Sequence, residues 1–318
     1  MARDPRFATI ESTDIRIFES ICGPNYVKTE GIDSYTTDWT KAFKGNSTCV
    51  LLPGTTEEVS ALLAHCARRK IAVVLQAGNT GLVGGGVPVH DEVIISIKRI
   101  RQNFSFNENT GSLFFSVRNL FQVLSYGLVS TLSCDAGFLL EELDNRLAPY
   151  GYMMPYDLGA KGSCMVGGNV ATNAGGIRLL RYGSLHAHVL GLTVVLPTEE
   201  GTVVKLGSAL RKDNTSLHTP HLFLGSEGQL GLITHVTMTT VPRPTSVQSA
   251  MIGVETFESC CSVLRLARRH LSEILSSFEF LDREAIRLLE ETLSLKPILQ
   301  SNPRFTILVE TSGILHIK

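Results

Sequence analysis

Two uncharged, glycine-rich runs constrain this sequence more than any other feature. The first spans Gln76–Gly86 and the second Gly162–Gly176, and neither contains Lys, Arg, Asp or Glu. Such a loop can bind an anion only through backbone N–H groups, and glycine allows positive φ and close approach of a ligand to the main chain. Both runs follow apolar, strand-like segments, Ile71–Leu75 and Tyr152–Pro155. We therefore predict that they lie at strand ends and hold a dinucleotide.

Two better-known glycine motifs do not occur. No Gly-x-Gly-x-x-Gly opens a helix, as it would in an ordinary Rossmann domain, and no Gly-rich run ends in the Lys-Ser/Thr of a P-loop. The alternative interpretation is a pair of ordinary glycine-rich turns between strands. The presence of two such runs in one domain favours ligand binding.

Composition narrows the class of protein. The 318 residues are enough for two domains, and 43% are hydrophobic and 19% charged. The formal net charge is −1 with dispersed Lys and Arg, so we expect no nucleic-acid partner. Seven scattered cysteines without a Cys-x-x-Cys pair argue against a disulfide framework or zinc ribbon and favour a reducing compartment. We expect no signal peptide, no good transit peptide and no membrane span.

Periodicity predicts a β-α-β unit before the first run. Thr48–Leu52 and Ile71–Leu75 have the composition of strands. Between them, Glu57–Lys70 has helical spacing, acidic residues in its first turn, and Thr55 or Thr56 as N-cap.

A longer pattern carries a resemblance to a known family. It comprises Asp38–Trp39, Pro53–Val59, Met154–Cys164, Gly168–Gly176, Leu179–Ser184, Leu210–Thr215 and Gly225–Gly231. With the first glycine run, it resembles the FAD-binding oxidoreductase/transferase type 4 family, which includes the D-2-hydroxyglutarate dehydrogenases. The resemblance covers most of residues 1–313.

The resemblance implies a fold and a domain organisation. The fold class is α+β, with a PCMH-type, vanillyl-alcohol-oxidase-like FAD-binding domain made of two α/β subdomains. The start of a second α+β domain follows it. The expected boundaries are a leader at 1–45, the FAD domain at 46–244, and the start of the C-terminal oxidase domain at 245–318.

The resemblance also implies an activity. Enzymes of this kind oxidise a D-2-hydroxy acid, here most directly D-2-hydroxyglutarate to 2-oxoglutarate, with hydride transfer to flavin N5. A divalent metal such as zinc assists, an electron-transfer flavoprotein is the expected acceptor, and the expected location is mitochondrial. Oxidation of D-lactate or glycolate, or a non-catalytic flavin-binding fragment, remain alternatives.

The family pattern assigns FAD-binding residues position by position. They are Gln76, Ala77, Gly78, Asn79, Thr80, Gly81, Leu82, Gly162, Ser163, Gly167, Gly168, Asn169, Thr172, Asn173, Gly175, Gly176, Glu227, Gly228 and Ile233. Residues 78–82 are expected to cradle the pyrophosphate, the second run to line the flavin and ribityl chain, and the last three to close around the cofactor. For Asn169, Thr172 and Asn173 the alternative is capping of turns. The first loop contains no histidine, and His90 lies beyond Pro88, so we expect noncovalent FAD.

The sequence departs from the family pattern in two internal places. Ala77 stands where the family has glycine, so the loop should survive only if this residue has a negative φ. The segment 114–131 has no counterpart, because Leu113 joined to Leu132 continues the pattern without a gap. This segment is either an apolar loop that contacts a partner or membrane, or an unremoved intron or gene-model error.

A third departure follows Gly313. Residues 314–318 do not resemble the family, and the Gly-His-x-Gly-Asp-Gly-Asn-x-His and Glu-His-Gly runs do not occur. In the family these runs supply the metal ligands, the base and the arginine that binds the substrate. We therefore assign no catalytic residue and no metal ligand, and expect that this sequence does not oxidise D-2-hydroxyglutarate at a useful rate.

Other polar residues have weaker interpretations. His186 and His188 could chelate a metal, but two histidines alone make a poor site. His218 and His221 lie in a polar stretch and are expected to be solvated. Arg181 and Tyr182 either meet a substrate carboxylate or make a salt bridge and pack in the core.

Overall fold

A computed structural model describes residues 3–313 apart from 111–112, 118–119, 125–128, 216 and 298. Residues 314–318, and parts of the predicted insertion at 114–131, lie outside the described residues. The chain divides into two compact units. The first comprises Met1–Met154, Gly159–Ala174 and Leu185–Val241, and the second Pro155–Leu158, Gly175–Ser184 and Pro242–Lys318.

Eight α-helices and sixteen strands lie in the part of the chain that the structure describes. The helices are α1 Ser12–Cys22, α2 Asp33–Thr36, α3 Thr56–Arg69, α4 Leu140–Leu147, α5 Val166–Ala171, α6 Leu179–Tyr182, α7 Phe257–Leu271 and α8 Arg283–Leu293. The strands are β1 Val27–Lys28, β2 Val50–Leu51, β3 Val73–Gln76, β4 Val93–Ser96, β5 Phe104–Thr110, β6 Leu113–Val117, β7 Leu120–Leu124, β8 Val129–Asp135, β9 Tyr152–Met153, β10 Val189–Val195, β11 Val203–Gly207, β12 Leu232–Thr239, β13 Val241–Pro242, β14 Ser246–Val254, β15 Leu275–Asp282 and β16 Phe305–Gly313.

The first sheet of the first unit contains the predicted β-α-β unit. Its order is β1-β2-β4-β3, with β2, β4 and β3 parallel and β1 antiparallel to β2. Helix α3 connects β2 to β3, and its N-cap Thr55 accepts a hydrogen bond from the Glu58 N–H at 3.2 Å. The helix buries Val59, Leu62 and Leu63, which lie on one face as the spacing predicts.

The second sheet of this unit is antiparallel. Its order is β11-β10-β12-β8-β5. Leu132, Val194 and Val236 are fully buried and contribute to its core. Polar residues alternate with the apolar ones on β8 and β12, because successive side chains of a strand point to opposite faces.

The predicted insertion lies between two neighbouring strands of this second sheet. Its residues contribute to β6 and β7, which pair antiparallel with Leu113 opposite Leu124. They also contribute the start of β8, where Thr131 pairs with Asn107 of β5 and with Thr239 of β12. Strand β5, which precedes the insertion, and strand β8, which begins within it, are therefore direct neighbours.

The second unit is built on a smaller antiparallel sheet. Its order is β14-β16-β15. Helix α7 packs on it, and their shared core contains Cys260, Ala267, Leu275, Ile307 and Val309. The N-cap Thr256 accepts a hydrogen bond from the Ser259 N–H, which fixes where α7 begins.

Candidate flavin site

Three segments of the first unit meet at the end of strand β3. They are the first glycine loop at 76–86, the stretch 162–173 that contains α5, and the turn at 225–228. A Cβ built on Gly168 would lie 2.6 Å from the Cβ of Ala77, and one built on Gly85 would lie 3.8 Å from Oε2 of Glu227. The turn joins the second segment through the Glu227 N–H, which donates to the Ala171 carbonyl at 2.9 Å.

The first loop presents backbone donors that the protein does not use. Within the part of the chain that the structure describes, none of the N–H groups of residues 79–86 donates a hydrogen bond. Gly81 is exposed, and nothing lies within 4 Å of a Cβ built on it. Unpaired, neighbouring N–H groups in an uncharged loop form the kind of concavity that binds an anion.

Two side-chain amides hold this loop in shape. The Gln76 side chain is 4% exposed, and its Nε2 donates to the carbonyls of Tyr35 at 2.8 Å and Gly86 at 2.7 Å. The second of these bonds ties the two ends of the loop together. The Asn79 side chain donates to the Thr37 carbonyl at 2.8 Å. Gln76 therefore shapes the loop, since both of its N–H bonds are made within the protein.

Residues 33–45 form a wall of the loop that the sequence analysis did not assign. Besides the carbonyls of Tyr35 and Thr37, this stretch places the Phe43 ring against Gly84, where a Cβ would lie 2.8 Å from the ring. The Asp38 carboxylate accepts the Phe43 N–H at 2.8 Å and so fixes that residue. Asp38–Trp39 is part of the family pattern. This pair was the signal in the sequence that could have assigned residues 33–45 to the site.

The two glycine runs touch directly. A Cβ on Gly78 would overlap the carbonyl of Ser163, so only glycine fits there. Ala77 has a negative φ, which meets the condition set for the alanine that replaces the family's glycine. Its methyl instead fills the space that Gly168 leaves open.

The second run has a different character from the first. Most of its N–H groups are already bonded within the protein, including those of Gly167 to Ala136 and of Thr172 to Gly168. Thr172 Oγ1 also donates to the Gly168 carbonyl at 3.0 Å. This run can therefore supply a close-packed surface, but fewer free donors than the first loop.

Left-handed backbone conformation marks all three segments. Asn79, Asn173 and Glu227 have φ values of 51°, 48° and 50°, which non-glycine residues seldom adopt. Such conformations persist where the surrounding structure enforces them, and they concentrate at ligand sites. Oδ1 of Asn173 is also buried and accepts no hydrogen bond from the described residues. An unsatisfied buried acceptor is expected to find a partner in the functional protein.

Three predicted positions are not part of these three segments. Ile233 is buried in β12, where it pairs with Val194 of β10. Gly175 and Gly176 belong to the second unit, and a Cβ on Gly176 would overlap the Asp157 carbonyl. Arg181, also in the second unit, donates to the carbonyl and the hydroxyl of Ser312.

The histidines form an arrangement that the sequence analysis did not anticipate. The His221 ring packs against His186 and His218, with ring centroids 5.0 and 5.3 Å apart, so His221 is not simply solvated. His188 is buried and its Nδ1 bonds Thr239 Oγ1 at 2.8 Å. Among the described residues, no three His, Cys, Asp or Glu side chains are placed to hold a metal ion. His186 and His188 therefore have different surroundings.

Comparisons with known proteins define the class of protein. Residues 47–207 match the sequence model of a family described as the FAD binding domain, and residues 243–317 match the C-terminal domain of FAD linked oxidases. The chain thus belongs to the FAD-binding domain family, and the expected resemblance and fold class are confirmed.

Relatives and solved structures agree with this placement. The chain is 45% identical to D-2-hydroxyglutarate dehydrogenase, mitochondrial, of Arabidopsis thaliana, over 98% of this chain and 52% of the relative. It is 41% identical to a Schizosaccharomyces pombe protein named "Putative D-lactate dehydrogenase C713.03, mitochondrial", over 98% of this chain and 57% of the relative. An alkyldihydroxyacetonephosphate synthase structure has the same fold, with a TM-score of 0.72, 20% identity, and coverage of 98% of this chain and 59% of that chain.

Two further facts bear on the whole protein. The chain spans about half the length of the curated relatives it matches. In the described ranges, no helix is both long and apolar enough to cross a membrane.

Proposed function

We propose that the first unit binds FAD noncovalently, with the pyrophosphate on the N–H groups of residues 78–82. The observation that carries the proposal is the row of unused donors at 79–86 in a loop without charged side chains. The space at Gly81 leaves room for a phosphate to approach the main chain. The absence of histidine from the loop supports noncovalent attachment.

The second run and the turn at 225–228 would line the rest of the cofactor. Gly168 lets α5 lie close to Ala77 of the first loop, and the unpaired Oδ1 of Asn173 is an acceptor for a ligand donor. Thr172 already bonds the helix carbonyls, which supports the capping alternative for that hydroxyl. The proposed domain boundaries remain 1–45, 46–244 and 245–318.

The activity proposed with this site is oxidation of a D-2-hydroxy acid, D-2-hydroxyglutarate first. The name and 45% identity of the Arabidopsis relative support this substrate. Bound FAD would supply the two-electron acceptor, with hydride received at N5. The chain's own residues would hold that cofactor through the N–H groups of the first loop and the packed surface of the second run.

A second candidate substrate is D-lactate, or the related glycolate, and the fission-yeast relative supports it. For either substrate, the proposed electron acceptor is an electron-transfer flavoprotein, and the proposed location is the mitochondrion, as in the relatives' names. We propose, from the resemblance alone, that the reaction also uses a divalent metal, and we assign it no ligand among the described residues.

The attachment of the flavin is tested by acid precipitation of purified protein. We expect a yellow protein with about one FAD per chain, and release of the colour into the supernatant. Colour that stays with the precipitate would contradict noncovalent binding. A colourless protein that does not take up added FAD would contradict the site itself.

The substrate is tested by anaerobic mixing of the FAD-loaded protein with D-2-hydroxyglutarate, its L enantiomer, D-lactate and glycolate. Loss of flavin absorbance with D-2-hydroxyglutarate alone supports the first candidate. Loss with D-lactate or glycolate alone supports the second. Flavin that stays oxidised with all four would contradict oxidation by this chain and leave only FAD binding.

A further inference from the structure

Strands β8 and β12 carry a polar array that the flavin site does not use. Ser133 and Asp135 lie two residues apart on β8, and their side chains therefore share one face of the sheet. His235 of β12 is the direct cross-strand partner of Asp135, and Thr237 is the partner of Ser133. The register of one strand pair thus places an acid, an imidazole and two hydroxyls side by side.

Hydrogen bonds connect these groups in a fixed order. His235 Nδ1 lies 3.0 Å from Asp135 Oδ1, and His235 Nε2 lies 2.9 Å from Ser133 Oγ. A carboxylate can only accept, so Nδ1 carries the proton and Nε2 of the neutral ring accepts from the serine hydroxyl. This is the relationship between nucleophile, base and orienting acid that activates a serine.

The acid of this array is held rigidly and stays ionised. Asp135 Oδ2 accepts the backbone N–H groups of Gln102 at 2.8 Å and Asn103 at 2.9 Å. Burial raises the pKa of Asp135, but these bonds, together with those from His235 and the Asn103 side chain, lower it overall. Its side chain is 8% exposed, whereas that of His235 is 29% exposed and open to a reactant.

An open groove of about 620 Å³ lies beside the serine. Its lining includes Ser105, Asn107, Thr131, Ser133 and Thr237. The strand N–H groups are used by the sheet, so a donor for a developing oxyanion must be a side chain. Thr237 Oγ1, 2.9 Å from Ser133 Oγ, is the nearest such donor.

We propose that Ser133, His235 and Asp135 form an acyl-transfer site for small, uncharged esters. Ser133 Oγ attacks the ester carbonyl and its proton passes to His235 Nε2. The bond to the alkoxy group then breaks, and His235 returns the proton to the leaving oxygen. Water, activated by the same imidazole, cleaves the acyl-serine bond and restores the serine. No electrons are transferred, and water is the only co-reactant.

The site is tested with a fluorophosphonate probe, which forms a Ser Oγ–P bond and releases fluoride. We expect stoichiometric labelling of the full chain, with the label on Ser133 by peptide mass spectrometry. Hydrolysis of 4-nitrophenyl acetate should likewise require Ser133. His235→Gln should slow both reactions at least ~100-fold, the usual contribution of a general base. Asp135→Asn should lower kcat with little change in KM, since it positions the imidazole.

Matched variants make the outcome decisive. Ser133→Ala should abolish labelling and esterase activity while leaving FAD content and Tm unchanged. Ser249→Ala, which alters an exposed strand serine of the second unit, should change nothing. A label on Ser105 instead, or esterase activity that survives Ser133→Ala, would overturn the proposal. So would an unlabelled, folded protein, whether or not it binds FAD.

Discussion

The methyl group of Ala77 lies against the Cα of Gly168, in the space that a side chain at position 168 would need. A Cβ added to Gly168 would lie 2.6 Å from the Ala77 Cβ. This contact joins the two glycine runs, which are far apart in the sequence. It also explains why alanine is tolerated at a position where the family has glycine. The alanine keeps a negative φ, and its methyl needs a glycine opposite.

Gly168→Ala should destabilise the protein and weaken FAD binding, because two Cβ atoms cannot share this space. Overpacking of this kind costs about 1–3 kcal/mol. Ala77→Gly in the same chain should restore much of the free energy of unfolding and the FAD affinity. Chemical denaturation of the two single variants and the double variant gives the coupling energy. Additive effects would show that the two positions do not meet.

Gly81→Asp should abolish FAD binding without lowering the stability of the cofactor-free protein. Nothing lies within 4 Å of a Cβ at this position, so the loop can accept a side chain, but the new carboxylate would repel a pyrophosphate. FAD titration and thermal unfolding of the apoprotein measure the two effects separately. Gly159→Asp, at an equally open position outside both runs, is the control and should bind FAD normally. Normal flavin content in Gly81→Asp would mean that the phosphate site is misplaced.

Deletion of residues 114–131 should stabilise the protein. Strands β5 and β8 are direct neighbours, and Asn107 of β5 pairs with Thr131 of β8. The deletion would join Leu113 to Leu132, so that Leu113 takes the place of Thr131 opposite Asn107. Five residues, Glu108–Ser112, would then close a β-hairpin of ordinary length. The shorter connection should contribute about 1 kcal/mol through loop entropy. Lower Tm or solubility of the deleted protein would instead make the segment an integral part of the fold.

Asp14 should make stability depend on acid pH. Its carboxylate is 1% exposed and bonds His65 Nε2 at 2.8 Å and Arg69 Nε at 3.0 Å. Burial raises its pKa, but the bonds from Arg69, the Glu11 N–H and His65 outweigh burial and lower the pKa to about 2. At about 1.4 kcal/mol per pKa unit, the lowered pKa of Asp14 corresponds to about 2 kcal/mol of stabilisation of the folded state. This stabilisation is present above pH ~4 and is lost as the pH falls towards 2.

Asp14→Asn removes this dependence and leaves Arg69 without its buried partner. We expect the free energy of unfolding at pH 7 to fall by about 3 kcal/mol, and the slope between pH 4 and 2 to flatten. Asp33→Asn, which breaks an exposed pair with Lys44, is the control and should cost less than about 1 kcal/mol. Equal effects of the two variants would contradict the importance of the buried network.

His221 should titrate below its usual range. Burial lowers its pKa, and the neighbouring His186 and His218 lower it further. Because the folded-state pKa lies below the unfolded value, this residue reduces stability as the pH falls below about 6.5. An NMR titration of the imidazole signals measures it, and His186→Gln should raise the His221 pKa. A pKa above 6.5 in the parent protein would show that the rings do not meet in solution.

Much of the first unit could be predicted from local sequence. The strand before the first loop, helix α3 and its threonine cap follow from apolar periodicity and capping chemistry, which act over a few residues. The uncharged composition of the two runs indicated an anion site built from backbone groups. Strand β5 has alternating apolar and polar residues. That alternation does not say which strand is its neighbour, so its pairing with β8 could not be predicted from the sequence.

Only the tertiary structure decided which distant residues meet. The contact of Ala77 with Gly168, the wall formed by residues 33–45, and the His186–His221 pair join positions far apart in the chain. The alignment of Asp135 with His235 and Ser133 depends on strand register, where a shift by one residue would move each side chain to the other face. The sequence alone determined the local elements and the backbone-lined character of the cofactor loops. Packing decided the shape of those loops and the second polar site, because non-local contacts leave no periodic signal in one sequence.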